Sequence, residues 1–455
     1  MHGRKVQDMT SGKLMPQIIK FTIPLALTGL LQFVYNAADM VVVGRFAGSM
    51  PLAAVGATSM LITLYTNLII GISIGAGVVV AKYIGAGNIQ KIHRSVHTTM
   101  TLGLVSGIIL MTLGLVLSPT LLQLMSTPDD IIDMSITYMR IFFIGAPANM
   151  VYIFGSSVLR ANGDSKRPFY FLTCAGIINI LFNLTFVIVF HMDVAGVAIA
   201  TIVSQFISAV CVVISLLNEN SVIRLSIRDM KFYKSELAEI IGVGLPAGIQ
   251  GSLFSISNVM IQSSINSFGS VVIAGNTSSA NIDNIVYVCC NAVSQAAMTF
   301  TSQNYGAKKY DRIVTIFKET MVFALIVGTA LCTPFYIFRS QLLGIFTADP
   351  KVVAAGSIRL TIFMLTYFLD TIMDVITAQM RGLGKSVGPM AITLAGVVGL
   401  RTVWLFTIFK SYHTLEVLYY SYPASWIVTV AALIVYKIIT YKKVIKPYRK
   451  EATVQ

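Results

Sequence analysis

The sequence predicts an all-α integral membrane protein, with twelve transmembrane helices in two six-helix, pseudo-symmetric lobes. Composition is the first reason, because 55% of the residues are hydrophobic and only 11% are charged, whereas an ordinary soluble domain has about 25% charged residues. The second reason is that apolar residues gather in twelve runs, each long enough to cross a hydrocarbon layer roughly 30 Å thick. The third is an internal repeat, in which similar motifs recur 221 positions apart.

The twelve runs fall into two sets of six on either side of a polar segment. The first set lies near residues 16–44, 52–81, 95–118, 131–159, 168–190 and 194–216. The second set lies near 238–267, 272–302, 313–337, 352–380, 387–409 and 416–440. We therefore expect five regions: an amino-terminal segment at 1–15, an amino-terminal lobe at 16–217, a linker at 218–237, a carboxy-terminal lobe at 238–440 and a basic tail at 441–455.

Basic residues decide the expected orientation. They gather at the amino terminus (Arg4 and Lys5), in the linker and in the tail (Arg449 and Lys450), and they are scarce in the opposite joints. Because Lys and Arg are enriched on the cytoplasmic side of membrane proteins, both termini should be cytoplasmic. The net charge of +14 is spread over these short joints, so it does not indicate nucleic-acid binding. The five cysteines all lie in apolar runs, which favours free thiols.

The internal repeat relates the two lobes. The segment LRANGDSKRP at 159–168 matches MRGLGKSVGP at 380–389, and Pro24 matches Pro246 at nearly the same offset. Each copy holds six spans, so the copies have the same orientation and should be related by an axis along the membrane normal. Transporters built in this way bind their cargo between the repeats. The architecture therefore favours a carrier.

The first predicted helix combines a proline with a polar stripe. Pro24 removes one backbone donor and is expected to act as a hinge. Four polar residues follow at helical spacing on one face, namely Gln32, Tyr35, Asn36 and Asp39. A carboxylate in the middle of a span costs roughly 2.5–3.5 kcal/mol on insertion scales. We therefore expect this stripe to face a water-filled cavity; the alternative is that Asp39 lies in interfacial water at the outer end of its helix.

Polar residues also mark the carboxy-terminal lobe. Asp370 and Asp374 lie one turn apart in the tenth run, and two acids this close repel each other unless one is protonated. Either they line a cation-attracting cavity or they are structural groups bonded to nearby hydroxyls. The other residues expected to line this cavity are Asn258, Gln262, Asp283, Tyr287 and Asn291.

With this repeat and these polar stretches, the sequence resembles the multidrug and toxic compound extrusion (MATE) family. The matching stretches are the proline-containing first helix with Asp39, then YIGAGN at 83–88, NYGAKK at 304–309, LRANGD at 159–164, MRGLGK at 380–385, VAGVAIATIVSQ at 194–205 and GLPAGIQ at 244–250. The resemblance covers nearly the whole chain. It implies twelve helices in two lobes and the efflux of organic cations driven by inward Na⁺ or H⁺.

The resemblance also implies an ion-coupling site in the amino-terminal lobe. This site would comprise Asp39 in the first helix, Asn179 and Asn183 in the fifth and Thr201 in the sixth. Several family members carry an aspartate where this chain has Asn183, and a glutamate used by one branch is replaced by Phe254. The two asparagines and the threonine could instead be packing groups that bond neighbouring helices.

The resulting hypothesis is a monomeric secondary active antiporter of the plasma membrane that exports amphipathic organic cations in exchange for Na⁺ or H⁺. Its partners would be small organic cations and the lipid bilayer. The sequence contains no nucleotide-binding motif or catalytic triad, so we expect no enzyme activity, no cofactor beyond the coupling ion and no metal beyond Na⁺ at Asp39. The alternative is a flippase for lipid-linked or polysaccharide precursors, whose cavity should be rich in Arg and Lys. The intramembrane charges expected from the sequence are mainly Asp, which favours drug export.

Overall fold

The structure is a computed structural model that describes residues 8–447, and its regular elements in this range are all helical, as predicted. Twelve long helices follow the twelve predicted runs in order. They are α1 Leu14–Ala47, α2 Ser49–Gly85, α3 Ile89–Leu124, α4 Asp129–Ile144 with Ala146–Ala161, α5 Lys166–Val189, α6 Asp193–Leu217, α7 Lys234–Asn266, α8 Ser270–Gly306, α9 Tyr310–Ile337, α10 Pro350–Gly382, α11 Val387–Phe409 and α12 Leu415–Val444. Two short helices, Ile227–Asp229 and Arg339–Gly344, lie between them. The five cysteines are free thiols, as predicted.

Most of these helices are long and apolar enough to span a membrane. Within the described range ten meet this condition, and α4 adds an eleventh if its two halves, which meet at an angle of 47°, are taken as one span. The exception is α8, whose 37 residues include Asn276, Asp283 and Asn291. The second half of α8 is almost entirely buried, as expected for a polar helix that other helices shield from lipid. The chain is therefore a multi-pass membrane protein.

The chain folds into two compact units that change over at prolines. The first unit contains Ile23–Leu245, and the second contains Met9–Thr22 together with the described chain from Pro246 onward. Pro24 and Pro246 are the repeat-related prolines, and each removes a backbone donor from its helix. The lobes expected from hydropathy begin at residues 16 and 238, inside α1 and α7, and these bounds stay a prediction. Four of the basic residues expected at the cytoplasmic ends lie outside the described range, namely Arg4, Lys5, Arg449 and Lys450.

Three helices contain wide π-helical turns. These turns lie at Val43–Ala47 in α1, at Thr185–Val189 in α5, and at Leu394–Gly399 and Leu405–Phe409 in α11. Turns of this kind are frequent at functional sites, because they redirect the side chains around them. The π-helical turns of α1 and α5 lie against each other in the first unit.

An apolar cluster at one end of the first unit holds the end of α1 in place. Val42 and Val43 of α1 are buried in a cluster that includes Val187 of α5 and Val197 of α6. Lipid is as apolar as these helices, so the packing is stabilised mainly by close van der Waals contact. The cluster places Asp39, which lies one turn before Val42 and Val43, beside α5.

Aromatic side chains form much of the core of the second unit. Phe363 and Tyr367 of α10 pack against Trp426 of α12, with ring centroids 5.7 Å and 6.4 Å away. The amino-terminal residues are tied to the same unit, since the Asn304 side chain donates a hydrogen bond to the Met9 carbonyl at 3.0 Å. The chain from Met9 to the start of α1 is therefore folded onto the second unit.

Candidate functional site

Asp39 belongs to a chain of hydrogen bonds that joins three helices of the first unit. Its carboxylate accepts a hydrogen bond from the Asn183 amide on α5. The same amide donates to the Asn179 side-chain oxygen at 3.2 Å, and the Asn179 amide donates to the Thr201 hydroxyl on α6 at 3.5 Å. The structure thus brings together all four residues expected at the ion-coupling site. Their function in coupling stays a prediction.

The site is rich in oxygen atoms, and one of them lacks a partner. Asn179 and Asn183 are 4% and 1% exposed, and the Asn183 side-chain oxygen has no hydrogen-bond partner among the described residues. A buried polar atom without a partner carries a desolvation cost of about 1–3 kcal/mol. Carboxylate, amide and hydroxyl oxygens are the ligands that hard cations prefer. A proton on Asp39, or a small hard cation beside it, fits this set of atoms.

Among the described residues, Asp39 has no ion-pair partner that neutralises it. The ion pairs found in the described part of the first unit involve other carboxylates, and the side chain that bonds Asp39 is the uncharged Asn183. A carboxylate that is shielded from water and has no counter-ion is unfavourable when charged. Uptake of a proton or of a cation therefore stabilises it.

The polar stripe of α1 divides between two directions. Tyr35 and Asp39, one turn apart, face α5: the Tyr35 hydroxyl donates to the Thr173 carbonyl at 3.3 Å. Gln32 and Asn36, also one turn apart, are exposed, and the Gln32 amide donates to the Asn36 side-chain oxygen at 3.4 Å. One pair therefore attaches α1 to α5, while the other pair is open to its surroundings.

Pro24, the expected hinge, lies where α1 passes from the second compact unit to the first. The helix continues through it, although the proline cannot donate the usual backbone hydrogen bond. The Thr28 hydroxyl donates to the Pro24 carbonyl at 2.6 Å, and bonds of this type often accompany bent helices. Pro24 is therefore a weak point in α1, and its function as a hinge stays a prediction.

In the second unit, Asp283 is part of a closed network. It forms an ion pair with Arg359 of α10 at 2.9 Å, and Arg359 also donates to the Asn276 side-chain oxygen at 2.6 Å. The Tyr419 hydroxyl donates to the same oxygen at 3.1 Å, and the Asn276 amide donates to Gln262 at 3.1 Å. Two residues expected to line a cavity, Asp283 and Gln262, are thus joined by side chains that were not predicted.

Asp370 and Asp374, the two aspartates of α10, are each influenced by the charge of an arginine in the second unit. Asp374 forms a hydrogen bond with the Asn291 side chain, and the positive charge of Arg381 attracts its carboxylate. Asp370 lies one turn earlier on α10, and the positive charge of Arg401 attracts its carboxylate. Both positions are compatible with a charged wall of a cavity and with a structural group, so the two interpretations stay open.

The buried arginines correct the expectation that the intramembrane charges are mainly Asp. The described part of the second unit has Arg359, Arg381 and Arg401 in addition to Asp283, Asp370 and Asp374 on α8, α10 and α11. Arg381 donates to the Gln250 side chain at 2.8 Å, and Arg401, which is 5% exposed, donates to the Ser425 hydroxyl at 3.1 Å. Neither Arg359 nor Arg401 was predicted. Each is an arginine inside an apolar run, and a search of the runs for basic residues would have found both.

The remaining residues expected at the cavity lie outside these networks or at their edges. Asn258 and Tyr287 are exposed, and Asn291 accepts a further hydrogen bond from Gln295 at 2.9 Å. These polar side chains on α7 and α8 do not converge on one place in a way that identifies a cargo.

Comparisons with known proteins agree with this architecture. The family model described as MatE matches the chain twice, over residues 24–185 and 246–407. The chain belongs to the MatE family. The two matches have equal lengths and begin at the repeat-related prolines, so the internal repeat is a property of the family. Membership also confirms the expectation of a transporter rather than an enzyme.

Individual relatives span nearly the whole chain. The probable multidrug resistance protein YoeA of Bacillus subtilis (strain 168) is 28% identical over 435 residues, which cover 93% of each chain. The FAD transporter of Shewanella oneidensis is 21% identical and covers 80% of this chain and 81% of that protein. A solved MOP superfamily transporter from Pyrococcus furiosus has a TM-score of 0.89 at 21% identity, covering 99% of this chain and 100% of that chain. The likeness to this structure shows a shared fold.

Proposed function

We propose that the protein is a secondary active antiporter that exports amphipathic organic cations in exchange for Na⁺ or H⁺. One observation carries the proposal: Asp39 is a carboxylate without a counter-ion among the described residues and is bonded to a buried amide, in a member of the MatE family. The relative YoeA, a probable multidrug resistance protein, supports drug export as the class of activity. No cofactor is required beyond the coupling ion.

The coupling ion would act by changing the charge at Asp39. A charged carboxylate holds the Asn183 amide about twice as strongly as a neutral acceptor does, so it attaches α1 to α5. A proton removes this charge, and a Na⁺ ion competes for the same oxygen atoms. Either event weakens the attachment and frees α1 to bend further at Pro24. The ion shifts this equilibrium only to the extent that it binds one conformation better than the other.

The proposal includes the setting of the protein. It is a monomer in the plasma membrane, with both termini and the linker in the cytoplasm. The concentration of Lys and Arg in the linker, the tail and alternate joints supports this orientation.

The test is uptake of a fluorescent organic cation into everted membrane vesicles under a separately imposed Na⁺ or H⁺ gradient. We expect one of the two gradients to drive uptake and Asp39→Asn to abolish it. If neither gradient drives uptake by the unaltered protein, the proposal of drug export is wrong. If Asp39→Asn transports at the full rate, coupling depends on another group, with Asp370 and Asp374 the next candidates.

A second candidate is a flippase for lipid-linked or polysaccharide precursors, and the buried arginines of the second unit favour it. Arginine binds phosphate oxygens through paired hydrogen bonds, and one relative is a transporter of FAD, a molecule that contains a pyrophosphate. Against this candidate, Arg359 is already bonded to Asp283 and Asn276. Vesicle uptake of a fluorescent lipid-linked pyrophosphate, without uptake of organic cations, would favour the flippase.

A further inference from the structure

Three metal-binding side chains meet outside the proposed transport site, where the linker lies against α3. His93 and His97 are one turn apart on α3, and their ring centroids are 4.0 Å apart. The carboxylate of Asp229, in the short helix Ile227–Asp229, lies 3.4 Å from the His93 Nε2 atom. One ligand atom from each residue lies within 4.8 Å of the other two. The sequence did not indicate this site, because Asp229 is far from both histidines along the chain.

The hydrogen bonds of His97 identify Nε2 as its unprotonated nitrogen, which can bind a metal only when the Ser226 N–H is displaced. Its Nδ1 atom lies 2.6 Å from the His93 carbonyl oxygen, which can only accept, so Nδ1 carries the proton and donates it. The Nε2 atom therefore has a lone pair, which accepts from the Ser226 backbone N–H at 3.0 Å. A histidine whose second nitrogen donates to a backbone carbonyl has the usual arrangement of a metal ligand.

The spacing of the three groups suits a small metal ion. Metal–ligand distances of about 2.0–2.2 Å place neighbouring ligands of a tetrahedral site roughly 3.3 Å apart. His93 and Asp229 already have this separation. Their side chains are 40% and 49% exposed, whereas His97 is fully buried, so an ion would enter from the side of His93 and Asp229, where water can supply a fourth ligand.

We propose that His93, His97 and Asp229 bind a divalent transition-metal ion, with Zn²⁺ the best match for two imidazoles and one carboxylate. The ion replaces the Ser226 N–H as the partner of His97 Nε2. It thereby joins α3 directly to the linker, which is already anchored to the first unit by the buried side chain of Ile223. Metal binding therefore fastens the linker more firmly to that unit.

The test is calorimetric titration of Zn²⁺ into the purified full-length protein in nanodiscs. All proteins carry Cys174→Ser, because Cys174 is an exposed thiol that could bind zinc by itself. We expect one saturable site that is weakened at least about tenfold by His93→Gln and by Asp229→Asn. Both side chains are partly exposed, so the variants should fold. His413→Gln, which alters an exposed histidine of the second unit, is the matched control and should leave the affinity unchanged.

Thermal unfolding of the same proteins distinguishes metal binding from a simple ion pair between His93 and Asp229. Zn²⁺ should raise the unfolding temperature of the Cys174→Ser protein, a chelator should reverse the rise, and neither ligand variant should show it. Equal zinc affinity in the parent and in both variants would overturn the proposal. So would the absence of saturable binding, or its loss in the His413→Gln control.

Discussion

The two compact units differ in how they accommodate their intramembrane carboxylates. In the first unit, Asp39 is bonded to the neutral Asn183 amide and has no ion-pair partner among the described residues. In the second unit, Asp283 forms an ion pair with Arg359 at 2.9 Å, whereas Asp370 and Asp374 have no ion-pair partner among the described residues. A carboxylate that already has a cationic partner gains less from a proton or a Na⁺ ion than one that has none. The difference favours Asp39 over Asp283 as the ion-coupling carboxylate.

The largest effect expected from this difference is at Asp39. Asp39→Asn keeps the size of the side chain and removes its charge, so that position can no longer take up and release a proton or a cation. We expect gradient-driven uptake of an organic cation to fall to background while the protein still folds. The measurement is vesicle uptake, normalised to the amount of protein in the membrane.

The matched control for this prediction is Asp193→Asn, the same change at an exposed carboxylate at the start of α6. Asp193 has a positive φ of 44°, which asparagine also tolerates. This control should transport at the normal rate. A similar loss in both variants would remove the distinction drawn for Asp39.

The second largest effect is expected on stability, at the ion pair of the second unit. Arg359→Met leaves Asp283 largely buried without its cation, and breaking a buried pair in this way costs about 3–5 kcal/mol. We expect a clear fall in the denaturation midpoint of the protein in detergent. The double variant Arg359→Met with Asp283→Asn should recover most of the loss, because no uncompensated charge then remains. Arg339→Met, at an arginine without an ion-pair partner among the described residues, is the control.

An unchanged midpoint for Arg359→Met would mean that water or another group compensates Asp283. The carboxylates of the two units would then depend less on different partners than the hydrogen bonds indicate. Asp283 would join Asp39 as a candidate for ion coupling.

The site of the first unit was more predictable from sequence than the charge pairing of the second. Asn179 and Asn183 are one turn apart, so helical spacing alone places them on one face, and the family resemblance added the partners on α1 and α6. Arg359 and Asp283 are 76 positions apart, and no local periodicity relates them. The twelve runs were predictable because membrane thickness sets the length of a span. The π-helical turns and the change between units at the prolines depend on tertiary packing, which leaves no comparable pattern.

A third prediction concerns the contact that holds α1 against α5. The Tyr35 ring lies so close to Gly176 that a Cβ atom there would overlap it. Gly176→Ala should therefore displace Tyr35, cost about 1–3 kcal/mol of stability as overpacking does, and reduce transport. Gly242→Ala, at a helical glycine whose added Cβ would meet nothing within 4 Å, should be neutral or slightly stabilising. Equal midpoints for the two variants would show that α1 is not held through Tyr35.

The smallest effect is expected at Thr201. Its size tests whether the polar residues on α5 and α6 form an ion-coupling site or only bond neighbouring helices. The Thr201 hydroxyl donates to the Val197 carbonyl at 3.0 Å and accepts from Asn179 at 3.5 Å, so it acts on Asp39 only through other side chains. Interhelical hydrogen bonds in membranes average about 0.6 kcal/mol, which corresponds to less than about a threefold change. Thr201→Val should therefore lower both stability and transport only slightly. Thr185→Val, whose hydroxyl bonds its own helix, is the control. A loss of transport as complete as in Asp39→Asn would instead make Thr201 a direct ligand of the coupling ion, and since a proton needs no such ligand, it would favour Na⁺.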